Sequence, residues 1–216
     1  MILSADAETL WGAATGLART VAGVSRDPAR PPLLFFTDPV RTPQPWLTAA
    51  ALPSGTAVVY RAFGAADARS VAERLRQVTA ARSVRLLIGL DADLAEVAEA
   101  DGVHLPERAL DQALALRRRH PRWLVTGAVH SSATLAGAGA LSAAVLSPVF
   151  AAGGTSGHRP ALGVEAFATA VRAAPVPVYA LGGISAANAD TLRGSGACGL
   201  AGVASIRAAF GHAVRI

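Results

Sequence analysis

Eight short apolar runs, rich in Val, Ile and Leu, recur along the chain between stretches of helical periodicity, and this alternation limits the fold more than any other feature. The runs are Leu33 to Thr37, Ala57 to Arg61, Val84 to Leu90, Gly102 to Leu105, Trp123 to Val129, Ala143 to Val149, Val176 to Leu181 and Gly199 to Ala204. Helical patterns lie between them, among others Asp67 to Ala80, Ala109 to Arg119, Val164 to Ala173 and Ala186 to Gly194. A helix between successive strands implies parallel pairing, and parallel strands are buried on both faces, which suits runs without polar alternation. Eight such units in 216 residues predict an α/β chain folded as a single (β/α)8 TIM barrel, a fold whose usual size starts near ~200 residues. An open doubly wound sheet usually carries a Gly-rich turn after its first strand, whereas this chain reads Thr37-Asp38-Pro39-Val40 there. The barrel is assigned to residues 33–216. Residues 5–22 read as an extra N-terminal helix, and the proline-rich Arg26 to Pro32 ends it, so residues 1–32 are expected to pack on the barrel, across its bottom.

Composition narrows the chemistry. Lysine is absent, so all 20 basic residues are Arg, and Schiff-base chemistry or a lysine-dependent phosphate loop is excluded. The single cysteine, Cys198, allows no intramolecular disulfide and no Cys-based zinc cluster, and it fits a reducing, cytoplasmic setting. No stretch reaches the roughly 18 uncharged apolar residues of a membrane span, and Asp6 and Glu8 precede the first Arg, unlike a secretion signal. No membrane association is expected. The net charge of +5 raises the question of nucleic acid, but the only basic run, Arg117-Arg118-Arg119, follows Leu110, Ala113, Leu114 and Leu116 at helical spacing. It reads as the solvated C-terminal end of an amphipathic helix, where cations suit the dipole. Few aromatics accompany it, so no nucleic-acid partner is expected.

A barrel of this kind carries its chemistry at the C-terminal ends of the strands. Leu181-Gly182-Gly183-Ile184-Ser185 closes the seventh strand and Val203-Ala204-Ser205-Ile206 the eighth, and these are the loops that commonly bind phosphate. Glycine lets the backbone approach an anion closely, and the free N–H groups of a following helix start supply donors. Gly182, Gly183, Ala204 and Ser205 are therefore the candidate phosphate site, the competing reading being tight turns alone. His130 follows the fifth strand, and a histidine with an ordinary pKa of about 6.5 moves protons near neutrality, which makes it the candidate general acid/base beside a purely structural role. His104 reads as structural. Thr37, Arg61, Ser131, His158 and Arg159 complete the candidate substrate contacts, Arg61 needing an anionic partner if it points inward and Arg159 lying in a Gly-rich lid-like loop.

Asp101-Gly102-Val103-His104-Leu105, Val129-His130-Ser131, Ser147-Pro148-Val149-Phe150, Leu181-Gly182-Gly183-Ile184 and Ala204-Ser205-Ile206, in this order, resemble the thiamine phosphate synthase and TenI family from about Leu33 to Ile206. In the synthase branch the resemblance implies joining hydroxymethylpyrimidine diphosphate to thiazole phosphate with Mg2+ assistance and release of diphosphate. The thiazole phosphate site of the family falls on Gly182, Gly183, Ala204 and Ser205. Its diphosphate side departs: Gly89-Leu90 stand where the pattern has Asn-Asp, Ala109 aligns with a second metal-binding Asp, and Val59, Arg61 and Phe63 replace Gln, Arg and Lys. Ala128 replaces a hydroxyl residue, and the lid lysine has no counterpart. Asp91, Asp93 and Arg159 are the residues available to rebuild that side.

The TenI branch lacks the same diphosphate machinery, and the resemblance there implies isomerising a thiazole phosphate carboxylate into its aromatic tautomer, with the histidine at position 130 moving the proton. This implies no metal and no organic cofactor. The leading expectation is thus a TenI-like thiazole tautomerase binding a small phosphorylated thiazole. The alternatives are thiamine phosphate synthase, a non-catalytic thiazole or thiamine phosphate-binding regulatory barrel, and another phosphate-binding barrel isomerase. A homodimer is compatible with the apolar fraction, although no stretch singles out its face.

Overall fold

The computed structural model describes residues 3–22, 30–153 and 159–211. Eight strands close into a barrel in chain order: β1 Leu33–Phe36, β2 Ala57–Tyr60, β3 Arg85–Gly89, β4 Gly102–Leu105, β5 Leu124–Val129, β6 Ala143–Leu146, β7 Val178–Ala180 and β8 Gly199–Gly202. Every pairing is parallel, and β8 returns to β1 with Leu34 opposite Ala201. The α-helices are α1 Ala5–Ala22, α2 Pro45–Ala51, α3 Ala68–Ala81, α4 Ala92–Val97, α5 Ala113–Arg119, α6 Ser132–Ala136, α7 Gly163–Ala173 and α8 Ala204–Phe210. This is the (β/α)8 barrel that the alternation of runs implies.

Period-two alternation along each strand divides the core into two layers. Leu34, Phe36, Val59, Leu87, Val145 and Tyr179 fill the barrel interior, while Leu33, Phe35, Val58, Ile88 and Leu200 face the helices. Tyr179 is large and fully buried, and its hydroxyl donates to the Pro31 carbonyl at 2.6 Å, which satisfies the one polar atom it brings inside. The helices answer with apolar stripes, as in α3, where Ala72, Leu75 and Thr79 are buried.

Several elements differ from the sequence expectation, each for a local reason. Only Ala189–Leu192, a 3-10 turn, forms where a helix over Ala186 to Gly194 is expected. Asn188 diverts the backbone: its Oδ1 accepts from the Ser185 N–H at 2.8 Å and its Nδ2 donates to the Gly183 carbonyl at 2.9 Å. The expected helix from Ala109 begins instead as a 3-10 segment, Glu107–Gln112, with Ala109 off helical geometry, and becomes α-helical at Ala113. β7 is short because Pro175 and Pro177 precede it and offer no N–H to the ladder. Ala204 starts α8 rather than ending β8.

The N-terminal helix takes a different place from the barrel bottom. α1 packs against β8, α8, β1 and the 3-10 turn Ala189–Leu192, with Leu10, Ala13, Ala14 and Leu17 buried in the outer core layer. The β7 to β8 connection supplies too little helix to cover that flank, and α1 fills it. Residues 23–29 of the expected linker lie outside the described residues. Arg117, Arg118 and Arg119 form the last turn of α5, where Arg119 pairs with Glu96 at 2.8 Å. No helix among the described residues is long and apolar enough to cross a membrane.

Candidate functional site

A cavity of about 260 Å³ opens at the C-terminal mouth of the barrel, between the ends of β1, β2, β7 and β8 and the start of the loop after β6. Gly182, Gly183, Ala204 and Ser205 line one wall, so the structure gathers the four candidate phosphate contacts in one place. Gly182 and Gly183 adopt φ of 99° and 65°, in the left-handed region that favours glycine. A Cβ on Gly182 would come 2.7 Å from Pro148 Cα, and one on Gly183 would run into the Ala151 carbonyl, so both residues let the loops after β6 and β7 close on each other. The donors differ from the sequence expectation on one side. No α-helix starts after Gly183, so a helix end contributes only through α8, whose first turn carries Ala204 and Ser205 and has no side-chain cap.

Arg61 and Arg41 line the opposite wall. Arg61 is anchored through Thr37: its backbone N–H donates to Thr37 Oγ1 at 2.9 Å and its Nε to the Thr37 carbonyl at 2.7 Å. Thr37 is thus a positioning residue behind the cavity wall. Asp38 Oδ2 accepts from Arg41 at 2.9 Å and lies 3.8 Å from Arg61 Nη2, which has no hydrogen-bond partner despite being buried. Hydrogen bonding from Arg41 outweighs partial burial and holds the Asp38 carboxyl down to about 2. Burial pulls the Arg61 guanidinium down to about 10, with Asp38 opposing and Arg41 adding to the shift. Arg61 remains charged at neutral pH, and its buried Nη2 makes no hydrogen bond within the protein. No sequence motif marks Arg41; the turn that Asp38 organises, with its Oδ1 accepting from the Val40 and Arg41 N–H groups, brings it to the mouth.

His130 stands at the end of β5, across the ring of strands from β1. It is half-buried and lies outside the lining of the 260 Å³ cavity. Its Nδ1 is 3.0 Å from the Ser147 carbonyl and 3.2 Å from Ser147 Oγ. A carbonyl only accepts, so Nδ1 carries the proton, and in the neutral ring Nε2 holds the lone pair. The main-chain N–H of His130 donates to Glu107 Oε1 at 3.3 Å. Ser147 and Glu107 were not among the expected contacts, and Ser147 was legible only as part of Ser147-Pro148-Val149-Phe150.

His104 points into the barrel. It is buried, makes a 2.9 Å hydrogen bond with Thr126 and an edge-to-face contact with Phe36. Burial first, then the nearby Arg61 and His130, lower its pKa to about 3, so it is a neutral strut between the two halves of the mouth.

The remaining candidates are scattered. Ser131 is exposed and N-caps α6, accepting from the Thr134 N–H at 3.1 Å. Arg159 is exposed and does not line the cavity, and His158 lies outside the described residues. Asp91 caps α4 through the Leu94 N–H at 2.8 Å. Among the described residues no three His, Cys, Asp or Glu side chains converge as metal ligands would.

Comparison with known proteins agrees with the fold and motifs. A sequence model of the family described as thiamine monophosphate synthase matches residues 33–208. A putative thiamine-phosphate synthase 2 of Aquifex aeolicus is 34% identical over 62% of this chain and 72% of its own length. A thiamine-phosphate synthase of Chloroflexus aurantiacus is 30% identical over 76% of this chain and 77% of its own length. Among solved structures, thiamine phosphate pyrophosphorylase from Pyrococcus furiosus superposes with a TM-score of 0.70 and 22% identity, covering 83% of this chain and 91% of that one, a likeness of fold. With its barrel matched almost end to end, the chain belongs to the thiamine monophosphate synthase family of thiamine biosynthesis.

Proposed function

We propose that the chain is a TenI-like thiazole tautomerase that converts a thiazole phosphate carboxylate into its aromatic tautomer. The observation that supports this reading is the orientation of His130 by Ser147 at one side of the barrel mouth, with the cavity lined by Gly182, Gly183, Ala204 and Ser205 at the other, while Gly89, Leu90 and Ala109 stand where the family pattern has metal ligands. Mg2+ takes oxygen ligands. Gly89, Leu90 and Ala109 offer no side-chain oxygen, and Asp91 Oδ1 is engaged by the Leu94 N–H. These positions do not supply the oxygen ligands of the family's magnesium diphosphate site, and no step is routed through one.

In this reading the phosphate rests against Gly182, Gly183, Ala204 and Ser205 with Arg41 opposite, and the carboxylate meets Nη2 of Arg61, which makes no hydrogen bond within the protein. His130 Nε2 takes a proton from the ring and the resulting imidazolium returns one to another ring position. Nothing is oxidised or reduced and no group leaves, so neither cofactor nor metal is required. Ser147 holds the ring in the tautomer the first step needs. The ligand is a small phosphorylated thiazole; neither nucleic acid nor membrane has a part in this reading. A cytoplasmic setting accompanies it: Cys198 is buried, and burial pushes its thiol up to about 12, leaving it inert.

The names of the relatives favour a second reading, thiamine phosphate synthase. NMR of the purified protein with the thiazole carboxylate phosphate tautomer decides between them. Conversion by the native chain, unchanged by EDTA and lost in His130→Ala, supports the tautomerase. Formation of thiamine phosphate from the two synthase substrates only with Mg2+ overturns it, and no turnover in either assay leaves a phosphate-binding barrel.

A further inference from the structure

We propose that the rim formed by the ends of β2 and β3 is a subsite for a flat apolar group bearing a single negative charge, and that Phe63 is its specificity-determining residue. The inference rests on reading the barrel mouth as the active site, and not on the tautomerase reaction.

Four observations converge on this rim. The guanidinium of Arg61 lies 5.2 Å from the Phe63 ring centre and 5.5 Å from that of Phe36, so it is held between two aromatic faces. Its Nε is taken by Thr37, while Nη2 is buried, makes no hydrogen bond and has only the Asp38 carboxylate 3.8 Å away, so it is a donor that a ligand can still engage. The Arg61 side chain also lies over Gly89: a Cβ there would sit 3.3 Å from Arg61 Cγ and 3.2 Å from the Tyr60 carbonyl. A side chain at position 89 would therefore need Arg61 and the Tyr60 carbonyl to give by a few tenths of an ångström.

Finally, Phe63 and Leu90 face water, 68% and 39% exposed, although both are large and apolar. Both also hold left-handed backbone, with φ of 51° and 66°. A non-glycine residue held in this conformation costs roughly 1 kcal/mol or more, and such strain concentrates at ligand clamps. The exposed Phe63 ring against the Arg61 guanidinium, whose Nη2 makes no hydrogen bond, suits a planar ring whose carboxylate reaches Nη2 and whose face stacks on Phe63. A diphosphate meets the opposite of what it needs here, since most of its oxygens would be desolvated against hydrocarbon without a donor.

Ligand-observed NMR titrations of the full chain test this with benzoate, acetate and inorganic diphosphate, the last with and without Mg2+. Benzoate is expected to bind roughly three- to tenfold more tightly than acetate through stacking, and diphosphate no more tightly than acetate. Phe63→Ala should remove the benzoate advantage and leave acetate unchanged, with an unaltered melting temperature confirming the fold. Phe63→Lys should lower benzoate affinity and raise that of diphosphate. Equal binding of benzoate and acetate, no benzoate binding, a preference that survives Phe63→Ala, or diphosphate as the tightest ligand of the native chain would each overturn the proposal. These titrations read binding alone, so failed turnover of the thiazole substrate leaves the subsite standing, and a failed titration leaves the role of His130 untouched.

Discussion

The Nδ1 of His130 sits 3.0 Å from the main-chain carbonyl of Ser147, a contact between the ends of neighbouring strands β5 and β6 that assigns the ring proton. Since the fixed proton leaves Nε2 as the base, His130→Ala removes the proton carrier without touching the glycine wall or Arg61. Turnover is expected to fall by about 10²- to 10⁴-fold, the usual contribution of a positioned acid/base, while affinity for a phosphate ligand stays within a few-fold. Single-turnover NMR alongside a binding titration checks both halves, and retained turnover removes His130 from the mechanism.

Gly183→Ala addresses the proposed phosphate wall of the cavity. The new methyl runs into the Ala151 carbonyl, and a φ of 65° disfavours any L side chain. Destabilisation of about 1–3 kcal/mol is expected, together with weakened phosphate binding, because the loops after β6 and β7 must part. Urea unfolding and a phosphate titration of the variant measure the two effects; an unaltered midpoint and affinity would contradict the close packing seen at this turn.

The neutral His104 gives stability a defined pH dependence. Its folded pKa near 3 lies below the unfolded value near 6.5, so between those pH values the unfolded chain binds a proton that the native chain refuses. Stability therefore falls as pH drops from about 6.5 towards 3, by up to ~1.4 kcal/mol per pH unit from this group. Asp38, whose folded pKa of about 2 is also depressed, contributes stability above its unfolded value of 3.8 that is lost as pH falls towards 2. Comparing urea unfolding at pH 7 and pH 4.5 stays above the Asp38 window, and His104→Gln should flatten the difference. Equal slopes for variant and native chain would place the effect elsewhere.

Asp38→Asn separates charge from shape at the mouth. An Asn carbonyl can still accept from the Val40 and Arg41 N–H groups, so the turn should persist, but the carboxylate between Arg41 and Arg61 is gone. Inorganic phosphate is expected to bind several-fold more tightly at low salt, with a lower melting temperature as the two guanidinium groups repel. Calorimetry at two ionic strengths would show it, and weaker phosphate binding in the variant would mean that Asp38 serves the ligand directly.

How much was legible beforehand varies by element. The eight strands follow from apolar runs, because a strand buried on both faces has to be apolar throughout, and the Gly182-Gly183 turn follows from residues that few other positions demand. The helix expected after Gly183 could not be judged that way. Its apolar spacing is helical, and only the two hydrogen bonds of Asn188, one reaching back to Gly183, decide that the backbone turns instead.

Motif position and local periodicity are properties of neighbours in the chain, and they sufficed for the barrel, for the strand ends that carry His130, Arg61 and the two cavity-lining loops, and for the family. What converges across the barrel belongs to the tertiary structure alone. Ser147 reaches His130 from 17 residues away, Thr37 holds Arg61 from 24, and Gly89 makes room for Arg61 from the next strand. Closure of the sheet creates these contacts, since it brings together the mouths of strands far apart in sequence. No local pattern records that, which is why Arg41, Glu107 and the exposed Phe63 acquire meaning only once the ring is closed.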